Sequence, residues 1–136
     1  MITYFDTSML MKLVVDDELL AAEAARLWLD SEFVLCAEIG YVEARAALSA
    51  AHRSGRFEST QFDTAKRQFE QLWAQISIVN VNSHLIRSAG DIAESDSLRG
   101  YDAVHLASAL VASATVMASA DQRLTGAASM RGLSTV

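Results

Sequence analysis

No proline occurs in the 136 residues, glycine appears six times and cysteine once. Without proline or a glycine-rich stretch, nothing marks a linker, so a single domain over 1–136 is expected. The length agrees: it supports one well-buried core and is too short for two ordinary ones. The lone Cys36 cannot close an intrachain disulfide, which makes a reducing cytoplasm the natural compartment. Basic residues are scarce, with eleven Lys plus Arg against seventeen Asp plus Glu and a formal charge of −6. That balance excludes a protein that coats nucleic acid non-specifically, which needs a broad cationic face. It leaves room for nucleic-acid chemistry where metal ions neutralise local carboxylates. A zinc site would want more Cys or His than one cysteine and three histidines without ligand spacing. Neither a P-loop nor a Gly-x-Gly-x-x-Gly pattern occurs.

What is present is a soluble globular composition, 51% hydrophobic and 21% charged. One stretch, Ala103 to Ala120, holds no formal charge and approaches the length of a membrane span. It contains His105, Ser108, Ser113, Thr115 and Ser119, and reads instead as a buried helix followed by a buried strand. No membrane association is expected. Met1 to Val15 carries Asp6 early and no basic leader, so it is expected to be folded structure.

Strand and helix signals alternate along the chain. Strands are expected at Ile2–Phe5, Phe33–Cys36, Ile76–Val81 and Thr115–Ser119, with Leu133–Val136 as a fifth. Between them, helical spacing predicts helices from Thr7 or Ser8 as cap through Val14, and over Leu19–Leu29. Further helices are expected over Ile39–Ala51, with Ile39, Val42, Ala46 and Leu48 inward, and over Gln61–Trp73. The last three cover His84–Ala93, Tyr101–Val111 and Gln122–Met130. This pattern implies an α/β sandwich with a parallel sheet covered on both faces. In such sheets ligands gather at the carboxyl ends of the strands, where strand order reverses.

Four acids fall on that rim. Asp6 ends the first strand and Asp121 follows the fourth; Glu43 and Asp102 lie in the first turns of helices that begin there. Singly, acids at helix starts are favoured by the helix dipole, and Asp6 can be a turn residue. Together they form a cluster that would take up protons at neutral pH unless a cation kept it ionised. Oxygen-only ligand sets suit Mg²⁺ or Mn²⁺, and such ions assist phosphodiester hydrolysis.

The segments carrying these acids are Tyr4-Phe5-Asp6-Thr7-Ser8 and Tyr41-Val42-Glu43-Ala44-Arg45-Ala46-Ala47-Leu48. With them stand Leu98 to Ala107, containing Gly100-Tyr101-Asp102-Ala103-Val104-His105, and Ser119-Ala120-Asp121-Gln122-Arg123-Leu124. In order and spacing the chain resembles the PIN-domain ribonucleases, and more closely the VapC-like toxins of bacterial toxin–antitoxin pairs. The resemblance implies a PIN-like three-layer α/β/α sandwich with a five-stranded parallel sheet. It implies a Mg²⁺- or Mn²⁺-dependent endoribonuclease cleaving tRNA or rRNA, with Asp6, Glu43, Asp102 and Asp121 as the catalytic, metal-holding acids. Ser8 and Ser119 match positions that support the first and last acid. Gln122 and Arg123 follow Asp121 where family members often carry further acids. A cognate antitoxin whose C-terminal segment wraps the toxin, and a homodimer, are also implied. The apolar helices around Leu20–Trp28 and Phe62–Trp73 offer a groove for that antitoxin, or serve simply as core.

Other residues carry less. His105, three residues after Asp102, reads as a packed or hydrogen-bonded side chain, because no second acid-x-x-His motif accompanies it. Cys36 lies in an apolar strand and reads as a buried, inert thiol. Nine of the eleven basic residues are arginine; Arg45, Arg99 and Arg123 are candidates to hold an RNA backbone or to pair with the acids. Two rival functions share the same rim. One is an aspartyl-phosphate phosphatase using Asp6, although Ser8 stands where a second Asp would act. The other is an RNA-binding or partner-binding module without catalysis.

Overall fold

The computed structural model of the protein describes residues 1–15 and 19–136. Among these, the strands β1 (Ile2–Phe5), β2 (Phe33–Ala37), β3 (Ser77–Val79), β4 (Val116–Ala118) and β5 (Ser134–Thr135) form one sheet. Their order is β3-β2-β1-β4-β5, and every neighbouring pair is parallel. The helices are α1 (Thr7–Val14), α2 (Ala21–Asp30), α3 (Ile39–Arg53), α4 (Ser59–Trp73), α5 (Ser83–Asp96), α6 (Gly100–Val111) and α7 (Gln122–Met130). No described helix is long and apolar enough to cross a membrane. The uncharged run at 103–120 is divided between α6 and β4.

Side chains alternate across each strand, and the sheet therefore builds two cores. Tyr4, Leu35, Ala37 and Met117 pack with Leu85, Ala89, Leu106 and Leu124 of α5, α6 and α7. Phe5, Val34, Cys36 and Ala118 pack on the other face with Met9, Leu10, Ala24 and Leu27 of α1 and α2. A third cluster joins α3 to α4 through Ala44, Leu48, Ala65 and Phe69. The result is the three-layer α/β/α sandwich.

Several local expectations are corrected. Helix α1 is capped by Asp6, whose side chain accepts from the Met9 N–H, and not by Thr7 or Ser8. Helix α3 buries Gly40, Ala44 and Leu48, and Ile39 packs on the core; of the four residues expected inward, Val42 is exposed and so is Ala46. The burial of Gly40 has a steric cause. A Cβ on Gly40 would collide with the Cys36 sulfur, so only glycine lets α3 start directly against the end of β2. Strand β3 is shorter than expected, with Ile76 buried just before it.

The chain moves outward from β1 through β2 to β3, then returns to β1's other side for β4 and β5. Strand order thus reverses at β1, and the crevice lies at the carboxyl ends of β1 and β4. Asp6 follows Phe5 directly, and its N–H extends the ladder to the Ala118 carbonyl at 3.1 Å. Ser119 leaves β4 beside it.

Candidate active site

Asp6 is 4% exposed. Its Oδ1 accepts from Ser8 Oγ at 2.6 Å and from the Met9 N–H at 3.0 Å, and its Oδ2 from Ser119 Oγ at 2.5 Å. The two serines are themselves fixed: Ser8 Oγ accepts from the Ala120 N–H, and Ser119 Oγ from the Asp121 N–H. The start of α1 and the loop after β4 are thereby stitched around one carboxylate. All three donors are neutral, and among the described residues no lysine or arginine pairs with Asp6. Burial raises its pKa above the ordinary carboxylate value, and the hydrogen bonds from Ser119, Ser8 and Met9 only partly oppose this.

The other three acids lie along the same rim. Glu43 Oε1 lies 2.9 Å from Thr7 Oγ1 and 2.6 Å from His105 Nε2. Burial alone would raise the Glu43 carboxyl, but its contacts with His105 Nε2 and the Thr7 hydroxyl outweigh it and leave the pKa lowered. His105 stands one helical turn after Asp102 on α6. Arg99 then spans to the last acid, its Nε 3.0 Å from Asp102 Oδ2 and its Nη2 3.0 Å from Asp121 Oδ2. Asp121 caps α7 through its Oδ1, which accepts from the Arg123 and Leu124 N–H groups, and the Ser119 bridge leads back to Asp6. All four expected acids therefore meet on one rim.

Among the described residues no three His, Cys, Asp or Glu side chains stand as a ready-made metal cage. Arg99 takes one oxygen each of Asp102 and Asp121, while Thr7 and His105 take one of Glu43. The donor chemistry nevertheless suits a hard divalent cation. Every candidate ligand is a carboxylate oxygen, and Glu43 Oε2 and Asp102 Oδ1 accept no hydrogen bond among the described residues.

The remaining candidates separate cleanly. Arg45 turns from the rim to pair with Glu70 at 3.2 Å and to bond Tyr41. Arg123 is exposed and makes no ion pair among the described residues. Cys36 is fully buried and burial pushes its thiol far up, so it is no nucleophile. Ser8, two residues after Asp6, donates to Asp6 Oδ1 and stands where an aspartyl-phosphate mechanism needs a second Asp as acid–base. One contributor escaped sequence reasoning: Thr7, expected only as a helix cap. Arg99 was a candidate partner of the acids, and it pairs with two of them. Tyr4 could have been suspected, since a tyrosine inside a predicted buried strand must find a partner for its hydroxyl.

A parallel sheet with this order and an acidic rim at its switch point defines a PIN-domain protein, and the PIN domain family model matches residues 3–129. The chain belongs to that family and, within it, to the VapC-like ribonucleases. It is 38% identical over 129 residues to Ribonuclease VapC45 of Mycobacterium tuberculosis, covering 93% of this chain and 89% of that protein. The fold is shared with the crystal structure of Mycobacterium tuberculosis VapC20, a Sarcin-Ricin loop cleaving toxin. That match has a TM-score of 0.69 and 18% identity, over 92% of this chain and 94% of that one. A toxin–antitoxin complex from Klebsiella pneumoniae matches with a TM-score of 0.70 and 17% identity, over 98% and 95% of the two chains.

Proposed function

We propose that this chain is a Mg²⁺- or Mn²⁺-dependent endoribonuclease, the cytoplasmic toxin of a toxin–antitoxin pair, with Asp6, Glu43, Asp102 and Asp121 as its metal-holding acids. The observation that carries this is Asp6. A carboxylate buried at the strand crossover, held by neutral donors alone and with three more acids on the same rim, is costly unless a cation joins it.

A bound divalent ion would supply a water of lowered pKa and charge stabilisation at the scissile phosphate. The chain's own groups prepare the site. Ser8, Ser119 and the Met9 N–H fix the Asp6 carboxylate. Thr7 and His105 orient Glu43 through Oε1 and leave Oε2 open. Arg99 has its own cationic fork in the place a metal would neutralise. Once released from Asp102 and Asp121, that fork suits a phosphate of the RNA backbone.

An open groove of about 790 Å³ adjoins this rim, with Leu98, Gln122, Arg123 and Met130 in its walls. Because it starts beside Asp121 and carries Arg123, which is unpaired among the described residues, it suits RNA flanking the cleaved bond. Two smaller grooves share Val15 and Arg56. Together they run from Ser8 and Ala120, beside Asp6, to Phe57 and Thr60 at the start of α4. They are the better place for the antitoxin segment. The apolar faces of α2 and α4 are largely spent in the core, through Ala24 and Leu27 and through Ala65 and Phe69.

The direct test is to map RNA 5′ ends after brief induction in cells and after incubation of total RNA with purified protein and Mn²⁺. A small, reproducible set of new ends is expected in both. RNA left intact under both conditions would favour the non-catalytic binding module. A second expectation concerns Arg99. Replacing it by alanine removes a cation that competes for Asp102 and Asp121, so Arg99→Ala should bind Mn²⁺ a few-fold more tightly in calorimetry while cleaving RNA more slowly. Weaker Mn²⁺ binding would show that Arg99 organises the acids and does not guard them.

A further inference from the structure

We propose that His105 is a positioning residue for Glu43, and that Tyr4, inside the sheet, holds the imidazole in the orientation and tautomer this requires. The inference rests on Glu43 being a metal-holding acid, as argued above.

Tyr4 is fully buried and His105 is 2% exposed, so neither polar group has water as an alternative partner. The phenol oxygen accepts from the Ala37 N–H at 2.9 Å, at the end of β2. It lies 2.6 Å from His105 Nδ1. Glu43 Oε1 is a carboxylate oxygen and only accepts, so Nε2, 2.6 Å away, carries a proton toward it. In the neutral ring Nδ1 is then the acceptor, and the Tyr4 hydroxyl, which already accepts from Ala37, has its own proton to give it. The two rings also meet edge to face, with centroids 5.7 Å apart, which resists rotation of the imidazole.

The chain Ala37, Tyr4, His105, Glu43 thus joins β2, β1, α6 and α3 at the rim. Helix α3 is otherwise placed by the close approach of Gly40 to Cys36, which fixes the backbone near Glu43 and not its rotamer. Thr7 and His105 choose the rotamer, and of the two only His105 is backed by a buried partner. Imidazoles or carboxylates that hold a ligand from behind typically set metal affinity by about 10–100-fold.

Glutamine places a donor where Nε2 stands, and asparagine places one where Nδ1 stands, so the pair separates positioning from filling. His105→Gln should retain Mn²⁺ affinity within a few-fold, whereas His105→Asn should lose about 10–100-fold. Mn²⁺ binding is read by calorimetry, and the Mn²⁺ concentration for half-maximal cleavage should move in parallel. Tyr4→Phe keeps the ring, removes the hydroxyl, and should weaken Mn²⁺ binding in the same direction. Equal Mn²⁺ affinities for folded Gln and Asn variants would overturn the role of His105, and wild-type affinity in Tyr4→Phe would overturn that of Tyr4. A wild-type protein that binds no Mn²⁺ would instead overturn the metal reading and this inference with it. A Glu43→Gln variant with unchanged affinity would do the same.

Discussion

Asp6→Asn is expected to lower RNA cleavage at least about 10³-fold, the equivalent of a few kcal/mol of lost transition-state stabilisation. The metal-free variant should nevertheless be no less stable than the parent. Both halves follow from the same geometry. The carboxylate is almost completely buried and its two oxygens are already satisfied by Ser8, Met9 and Ser119. Asparagine keeps the shape and retains an acceptor for Ser8 and the Met9 N–H; its amide donates to Ser119 Oγ, whose own proton loses its acceptor, a cost the removal of the buried charge is expected to offset. The substitution removes a negative charge that burial penalises and that only a cation could offset. Initial rates on RNA with saturating Mn²⁺, together with thermal melts in EDTA, check the pair of effects. Full metal-dependent cleavage by this variant would remove Asp6 from the site. Loss of stability in EDTA would mean the charge is already compensated within the protein.

Much of this site was legible in the sequence, because the information lies in backbone periodicity. A β-rich run that ends at Asp6, and a second that ends two residues before Asp121, put both acids on one rim whatever the packing details. Glu43 and Asp102 follow because helices after parallel strands begin on that rim. The departures are those that depend on packing between elements. The inward face of α3 was only half legible from apolar spacing, because the small Gly40 and Ala44 pack inward where the larger Val42 stays exposed. The cap of α1 was misplaced because Asp6 serves α1 and the acid cluster together. Arg99 was visible as a candidate, but its span from Asp102 to Asp121 joins α6 to a residue beyond β4, a contact no local pattern encodes. The same holds for Tyr4 and His105, which are 101 positions apart.

Chelation with EDTA should suppress cleavage by about the same 10³-fold, and the accompanying stability change should depend on pH in a direction the carboxyl environments set. Asp6 has a folded pKa above its unfolded one. The folded state therefore holds this proton where the unfolded state releases it. Its contribution to stability is complete below the ordinary Asp range, about pH 4, and is lost as pH rises through the folded value. Glu43 is shifted the other way, and so is Asp96, lowered to about 2 by Arg131. Their contributions are present above the ordinary range and are lost as pH falls through their folded values. Total stability mixes these signs, but the difference between the parent and Asp6→Asn in EDTA isolates the first. That difference should be smallest in acid and widen toward neutrality in favour of the variant. Mn²⁺ should reverse it. The ion needs Asp6 ionised, so at a concentration 100 times its Kd it can add about 2.7 kcal/mol at neutral pH. Near pH 4, where the raised Asp6 carboxyl holds its proton more than at neutrality, it should add less. Urea titrations of both proteins at the two pH values, with EDTA or with Mn²⁺, give the four comparisons. A Mn²⁺ effect of equal size at both pH values, or equal in the parent and the variant, would place the cation away from Asp6.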